Sequence, residues 1–374
     1  VVYCSDADCD ACSSASDCPS GGACESAVCS GSPLRCSLDV LSSFVDGDGC
    51  CPSGATYEQD DDCAAPVSGE VLAFPDAQGW GKWTRGAYGA VGVEPKVLIV
   101  DTLDAGVAGD ESSGRGTLRW ALTRSYPRIV LFEVSGTIFE DSSIVIEDPF
   151  ITIAGQSAPS PGVVLARVPL VVKTDQVIMQ HMRVRVGDHF GSSPDVFAMY
   201  GMSRDGGNVI FDHNSFTWSI DEVIGVSLPD HHFQNMTFSN NIIAEPLHDS
   251  THYEGEPHSM GMLIYGDLDH VALLNNLFAS GKDRSPRFDG DYFLIANNLI
   301  YNIISNRIYM AGSGSVHHDI IGNVHKFGPQ SGTSTYVTNI ESGVSGELYI
   351  HDNVVPDGGV DQWAGSQTSS GWWK

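Results

Sequence analysis

The segments MTFSNNII (236–243), VALLNNLF (271–278) and FLIANNLI (293–300) repeat one pattern, an apolar run followed by asparagine. An asparagine occupies the equivalent place in six repeats, with separations of 27, 35, 22, 25 and 30 residues. These residues are Asn214, Asn241, Asn276, Asn298, Asn323 and Asn353. A repeat of this length with variable insertions is typical of a solenoid, in which each repeat forms one turn of a coil.

The apolar runs have the length and composition of β-strands. VLIV (97–100), IVLFEV (129–134) and ITIAG (151–155) are rich in β-branched residues and are bounded by turn formers. A β-sandwich or a propeller would also contain many short strands, but sandwich strands alternate polar with apolar residues. These runs are apolar nearly throughout, as in parallel strands covered on both faces. We therefore predict an all-β, right-handed parallel β-helix, whose asparagines adopt left-handed backbone at bends and hydrogen-bond from turn to turn.

One segment does not follow the repeat of short strands. GRGTLRWALTRSYPR (114–128) has Leu118, Ala121 and Leu122 at helical spacing and ends near Pro127. We predict a short helix that covers the N-terminal end of the coil, where strand edges would otherwise be unpaired.

All ten cysteines lie within residues 4–63, a segment with few large apolar side chains. Because it could hardly fold by apolar burial, we expect up to five disulfides of open connectivity, as in secreted proteins. Zinc is the alternative, although only Cys9 and Cys12 have the spacing of a metal-binding pair. We predict a disulfide-rich module at residues 1–66 and the β-helix at 67–374.

The charge composition excludes some classes of function. The chain has 47 Asp and Glu against 19 Lys and Arg, a formal net charge of −28. Nucleic-acid binding is disfavoured because phosphates are bound by clustered Lys and Arg, and no apolar run is long enough to predict a membrane span. The chain starts at Val1 without a basic segment, so any signal peptide has been removed or was never included. We expect a secreted or cell-surface protein whose cysteine module serves attachment or self-association.

Five motifs follow one another along the predicted β-helix. They are AFPDAQGWGKWTRGAYGA (73–90), GTLRWAL (116–122), ITIAGQSAP (151–159), VIFDHNSFTWSIDE (209–222) and KDRSPRF (282–288). In this order they resemble the pectate lyases of polysaccharide lyase family 1, particularly the bacterial branch. The resemblance implies β-elimination on a polyuronate such as pectate, with calcium as the cofactor.

The chemistry of that reaction says what a site must contain. Removing the weakly acidic C5 proton of a uronic acid places charge on the adjacent carboxylate, so a cation bound there lowers the barrier. Calcium is held by oxygen ligands. The resemblance points to Asp195, in SSPDVFAMYG, and to an acidic pair at Asp221 and Glu222. The family pattern has two Asp four residues apart, whereas these acids are adjacent, so both can bind one ion only if the strand bends. The alternative is that these are surface acids.

The resemblance assigns the catalytic base to Arg284, the first residue of an RxPxxR-like motif. The sixth position is Asp289, so the second arginine is missing or replaced by Arg287. An arginine base needs a lowered pKa, which Lys282, Arg287 and the cation could provide. Otherwise Arg284 would bind a carboxylate, or pair with Asp283 or Asp289.

Further side chains are candidates for contacts with the polyuronate. We expect Lys282 and Arg287 beside the base, and Arg183 and Arg185 from one strand face, to neutralise uronates, and His258 to contact a sugar. Alternatively, His248, His252 and His258 could form a zinc site with Glu254, although their loop lacks helix signals. Trp218 is predicted to be core rather than a stacking platform for a sugar ring.

Three other functions compete with this hypothesis. A β-helical polygalacturonase is disfavoured because its Arg-Ile-Lys triplet is absent, and a pectin lyase because Asp195 and Asp221 are retained. The alternative from a different class is a non-catalytic β-helix that serves as an adhesin, a carbohydrate-binding protein or a fibre subunit.

Overall fold

The computed structural model describes residues 25–30, 35–40, 71–189, 194–252, 255–305, 307–312, 314–332, 337–356 and 363–365. The chain divides into two compact units, Val1–Val71 and Leu72–Lys374. In the first unit, strands Glu25–Ser30 and Arg35–Val40 pair antiparallel. The rest of the predicted disulfide module lies outside the described residues, and the boundary expected at residue 66 stays a prediction.

The second unit is a parallel β-helix, as predicted. The chain passes in turn through three ladders of parallel strands, named I, II and III here in the order in which each turn visits them. Ladder I contains Ile144–Ile146, Leu170–Val172, Phe197–Tyr200, the first part of Glu222–Ser239, the first part of Met260–Leu274, Arg287–Phe288, Ile308–Met310, Thr338–Ile340 and Trp363–Gly365. Ladder II contains Lys96–Val100, Arg128–Phe132, Ile151–Ala154, Val177–Gln180, Gly206–Asp212, the second parts of the two long strands, Phe293–Ala296, Gly314–Ile321 and Val344–His351.

Ladder III is a separate sheet of eight strands. Its members are Gly136–Phe139, Val163–Ala166, Arg183–Arg185, Ser215–Thr217, Ile242–Ala244, Leu277–Ala279, Leu299–Tyr301 and Val324–Lys326. Ladders I and II are joined into one 19-stranded sheet through the strands Glu222–Ser239 and Met260–Leu274, which run from one ladder into the other. This continuity matters for the site, because both long strands begin beside its acidic residues.

Stacked aromatic rings fill the interior of the coil. Phe197 and Phe211 have ring centroids 4.8 Å apart, and Phe211 and Phe238 lie 4.9 Å apart on successive turns. All three side chains are fully buried. Burial of each phenylalanine contributes about 1.5–3 kcal/mol, so the rings hold a strand of ladder I against two strands of ladder II from inside.

The predicted asparagine ladder is present where ladder II turns into ladder III. The Asn241 side-chain oxygen accepts hydrogen bonds from the Asn214 backbone N–H at 2.8 Å and from its side-chain amide at 3.2 Å. The same pair of bonds is repeated on each further turn up to Asn353. The expectation of left-handed backbone at these asparagines is wrong, because the residue before each of them takes that conformation, for example Asn240 with φ 56° and Asn275 with φ 56°.

The predicted helix is present at Leu118–Leu122. The Thr117 side chain accepts a hydrogen bond from the Trp120 backbone N–H and caps its first turn. The helix packs against Lys96–Val100 and Ile144–Ile146, the first strands of ladders II and I, and thus covers that end of the coil. Among the described residues, no helix has the length and apolar character needed to cross a membrane.

Candidate active site

Three acidic side chains, the acid triad, come together at the beginning of two neighbouring strands of ladder I. Asp195 precedes Phe197–Tyr200, and Asp221 and Glu222 stand where the next strand begins. The register pairs Phe197 with Ile224, which places Asp195 opposite Glu222. The Val196 backbone N–H donates to the Glu222 carbonyl at 3.1 Å and holds this alignment.

The chain bends at Ile220 and Asp221, immediately before the strand. The Asp221 backbone N–H faces the Pro194 carbonyl at 3.5 Å. Because of this bend, adjacent acids do not point to opposite faces, and carboxylate oxygens of Asp195, Asp221 and Glu222 lie within 4.8 Å of one another. The bend required by the sequence analysis is therefore observed.

Burial and mutual repulsion govern the electrostatics of the acid triad. Burial, together with the negative charge of Asp221, raises the pKa of Asp195 to about 8, against the opposing effect of Arg284. The Asp195 carboxylate also accepts a hydrogen bond from the Glu222 backbone N–H at 3.1 Å. Burial disfavours the charged carboxylate, and the neighbouring negative charge of Asp221 adds to this effect.

A glycine leaves room for the Asp195 carboxylate. A Cβ at Gly225 would overlap that carboxylate, so a side chain there would displace it. The sequence analysis missed this residue, because Gly225 stands within the apolar run EVIGV and carries no chemical signal of its own. The signal that could have found it is the glycine itself, which is unusual inside a strand.

Arg284 lies against the acid triad. Its guanidinium forms an ion pair with the Glu222 carboxylate. The backbone places it there through the Arg284 carbonyl, which accepts from the Met262 N–H at 2.5 Å. Burial, and then the charge of Arg287, lowers the pKa of Arg284, whereas Asp221 and Asp195 act to raise it. The alternative pairing with Asp283 or Asp289 is replaced by this pairing with Glu222.

The cations predicted beside Arg284 have other partners. The Lys282 ammonium donates to the Pro257 carbonyl at 2.7 Å. The Arg287 guanidinium lies 3.8 Å from the Glu341 carboxylate and 5.1 Å from the centroid of the Tyr309 ring. Both flank the base in sequence, and their contacts with substrate stay predictions.

Arg183 and Arg185 lie in ladder III, whereas the acid triad lies at ladder I. The Arg183 guanidinium donates to the Pro161 carbonyl at 2.5 Å. The Arg185 guanidinium donates to the Ser215 carbonyl and hydroxyl, and burial lowers its pKa. The structure therefore does not bring these two arginines together with Arg284, and their role in binding substrate stays a prediction.

The histidines expected in one group separate into two sets. His258 Nε2 lies 2.7 Å from Asp221 Oδ1, and only 8% of its side chain is exposed, which leaves little surface for a sugar contact. His252 Nε2 lies 3.7 Å from Asp221 Oδ2. His248 instead hydrogen-bonds with the Ser259 hydroxyl at 2.9 Å, and Glu254 is outside the described residues.

Trp218 corrects an expectation of the sequence analysis. The side chain is 46% exposed rather than part of the core. Its indole N–H donates to the Glu245 carboxylate at 3.4 Å. An exposed indole with a fixed polar end is suited to stacking on a sugar ring.

The acid triad has the donor chemistry of a site for a hard cation. It offers carboxylate oxygens alone, the ligands that calcium prefers over nitrogen or sulfur. A divalent ion among these oxygens would offset the repulsion between Asp195 and Asp221 that contributes to the raised pKa of Asp195. The residues present therefore fit a bound cation.

Fold and site together define a parallel β-helix protein with an acid triad facing an arginine on a later turn. The chain is 32% identical to the probable pectate lyase C of Aspergillus flavus over 275 residues, 73% of this chain and 58% of that protein. It is 31% identical to the probable pectate lyase C of Neosartorya fischeri over 297 residues, 78% of this chain and 63% of that protein. The chain thus matches about three fifths of the length of these curated relatives. No family model matches the sequence.

Among solved structures, the chain is similar to Jun a 1, the major allergen from cedar pollen. The TM-score is 0.51 at 18% sequence identity, and the match covers 80% of this chain and 86% of that chain. At this identity the similarity concerns the fold alone. It supports the β-helical architecture independently of the sequence motifs.

Proposed function

We propose that this protein is a secreted polysaccharide lyase that cleaves a polyuronate such as pectate by calcium-assisted β-elimination. The observation that carries the proposal is the ion pair between Arg284 and Glu222, which joins the base to the acid triad across the turns of the coil. Curated relatives named probable pectate lyase C support the same chemistry. Membership of the bacterial branch is a finer prediction that these fungal relatives do not address.

Asp195, Asp221 and Glu222 are the residues that would hold calcium. When bound, calcium would neutralise the uronate carboxylate and stabilise the charge that develops next to C5. Arg284 would accept the C5 proton, the C5–H electron pair would form the C4–C5 double bond, and the C4–O bond would break. The leaving oxygen takes up a proton, so the products are a new chain end with its hydroxyl and an unsaturated uronate.

Arg284 must be neutral to act as the base. Its burial and the charge of Arg287 favour the neutral form, whereas the charges of Asp221 and Asp195 and the ion pair with Glu222 favour the charged form. If Glu222 served as a ligand of the cation, it would no longer stabilise the charged guanidinium of Arg284. Binding of a cation by the acid triad would therefore favour the neutral form of the base.

The remaining predicted contacts belong to a groove around this centre. We propose that Lys282 and Arg287, which flank Arg284 in sequence, neutralise uronates next to the cleaved bond. Trp218, exposed at the surface, is suited to stacking on a neighbouring sugar. Arg183, Arg185 and His258 are proposed with less structural support, since their polar atoms have the protein partners given above.

The test is an assay of product formation on polygalacturonate. The protein with calcium should produce the ultraviolet absorbance of an unsaturated uronate, EGTA should stop its increase, and added calcium should restore it. Arg284→Ala should form no product while keeping the far-ultraviolet circular dichroism of the β-helix. Binding of polygalacturonate without any product would instead favour the non-catalytic carbohydrate-binding protein, and reducing ends without the absorbance would indicate a hydrolase.

A further inference from the structure

Two buried histidines both approach the carboxylate of Asp221, which also belongs to the acid triad. Only 1% of the His252 side chain and 8% of the His258 side chain are exposed. We propose that Asp221, His252 and His258 form a second cation site, specific for a borderline transition metal such as Zn²⁺. This inference goes beyond the proposed lyase function and does not depend on it.

The distances fit a tetrahedral metal. His258 Nε2 lies 2.7 Å from Asp221 Oδ1, and His252 Nε2 lies 3.7 Å from Asp221 Oδ2. Zinc bonds of about 2.0–2.1 Å place tetrahedral ligand atoms about 3.3 Å apart. The two contacts, one to each oxygen of Asp221, lie about half an ångström on either side of that value, so a small shift of the carboxylate and a reorientation of the imidazoles would form the site.

The two imidazole rings are stacked face to face, so binding of one metal by both Nε2 atoms requires at least one ring to rotate out of the stack. Their centroids are 3.7 Å apart and their planes differ by 6°, and both direct Nε2 toward the same carboxylate. Two nitrogens and one carboxylate form the ligand set of many catalytic zinc sites, in which water occupies the fourth position. The same set suits calcium poorly, because calcium prefers oxygen ligands.

Asp221 belongs to both ligand groups. One of its oxygens lies within 4.8 Å of carboxylate oxygens of Asp195 and Glu222, and one lies within 4.8 Å of ring nitrogens of His252 and His258. A carboxylate can bridge two cations through its two oxygens. The structure thus offers adjacent sites of different chemistry, an all-oxygen site and a site with two nitrogens and one oxygen, joined by one side chain.

The competing explanation is that the histidines only orient Asp221 by hydrogen bonds. In that case the protein would bind zinc only weakly, through exposed histidines elsewhere on its surface. The matched control is His248, which belongs to the same segment but hydrogen-bonds with Ser259 instead of Asp221. A specific site would be sensitive to His252 and His258 and insensitive to His248.

The experiment uses the full chain, stripped with chelator and kept free of reductant so that thiols do not contribute. Zn²⁺ affinity is measured by competition with a chromophoric chelator, and Co²⁺ is added to record its visible spectrum. We expect one tight equivalent of Zn²⁺ and an intense tetrahedral Co²⁺ spectrum, both retained in His248→Ala. His252→Ala and His258→Ala should each lower the affinity by at least about 100-fold, since even outer-shell changes cost about 10–100-fold.

Two further variants keep the test informative if either alanine substitution unfolds the protein. His258→Gln and His252→Gln keep a polar side chain of similar length but remove the imidazole ligand, and circular dichroism reports their folding. Folded Gln variants that retain tight Zn²⁺ binding would overturn the proposal, as would a wild-type protein with only weak binding and an octahedral Co²⁺ spectrum. Because no lyase assay is involved, failure here leaves the proposed function untouched, and loss of lyase activity would leave this site untouched.

Discussion

The Arg284 guanidinium forms an ion pair with Glu222, a carboxylate that also belongs to the acid triad. The base and a cation therefore compete for the same carboxylate. We expect Arg284→Ala to bind calcium about tenfold more tightly than the wild type, because a neighbouring positive charge is removed, while forming no product. Calorimetric titration with calcium measures the affinity. An unchanged calcium affinity would show that the guanidinium does not compete, and Arg284→Lys, which keeps the charge, should show the smaller change.

Burial of its carboxyl group, and then repulsion from Asp221, raises the pKa of Asp195. We expect Asp195→Asn to keep or increase the thermal stability of the calcium-free protein, since a buried acid is replaced by a neutral isostere. The calcium-induced rise in Tm should largely disappear, because a ligand oxygen loses its charge. Differential scanning calorimetry with EGTA and with calcium gives both quantities. A full calcium-induced shift in the variant would remove Asp195 from the site.

Gly225 makes space for the Asp195 carboxylate. We expect Gly225→Ala to weaken calcium binding by at least about tenfold through displacement of that carboxylate, with a modest loss of stability from crowding. Gly281→Ala is the control, because a Cβ there would meet its nearest atom at 3.4 Å, an ordinary contact. Equal calcium affinities in the two variants would show that the position of Asp195 does not matter for the ion.

Asn276 stands in the middle of the asparagine ladder, where its side-chain oxygen accepts two hydrogen bonds and its amide donates to the Phe238 carbonyl at 2.9 Å. Asn276→Ala should lower the free energy of unfolding by about 3 kcal/mol, because it leaves buried partners unsatisfied. Asn275→Gly, one residue earlier at φ 56°, should be nearly neutral since glycine accepts that backbone. Urea unfolding followed by tryptophan fluorescence compares them, and similar losses in both variants would contradict a role for the ladder.

His325 is buried in ladder III, and burial lowers its pKa to about 3, with a further effect of Arg307. Neither ring nitrogen has a hydrogen-bond partner among the residues that the structure describes. Its folded pKa lies below the unfolded value of 6.5, so the unfolded state binds more protons as the pH falls from about 6.5 toward 3. This histidine therefore costs stability in that window.

His325→Leu should raise the free energy of unfolding, and its advantage over the wild type should grow by about 3 kcal/mol between pH 7 and pH 4. Urea unfolding at both values of pH measures the difference. His351→Leu, whose ring is 52% exposed, provides the comparison and should show little change. An advantage of His325→Leu that is the same at both values would mean that the buried histidine does not titrate in this range.

The β-helix could be predicted from the sequence, because the same residue pattern recurs in each repeat. Apolar runs covered on both faces, with an asparagine in every turn, indicate parallel strands stacked in a coil, and the ladder from Asn214 to Asn353 formed as expected. The helix at Leu118–Leu122 followed from its spacing of apolar residues. The resemblance to the pectate lyases pointed to Asp195, Asp221, Glu222 and Arg284 as the candidate centre.

The partners of those residues depended on folding in three dimensions. Glu222 meets Arg284, and Asp221 meets His252 and His258, across turns whose lengths vary from 22 to 35 residues in the ladder. Because the insertions vary in length, the sequence does not reveal which side chains become neighbours. The bend at Asp221 also changes the direction in which its carboxylate points. Local propensity and periodicity thus select the coil, whereas the stacking of one turn on another selects which charges face each other.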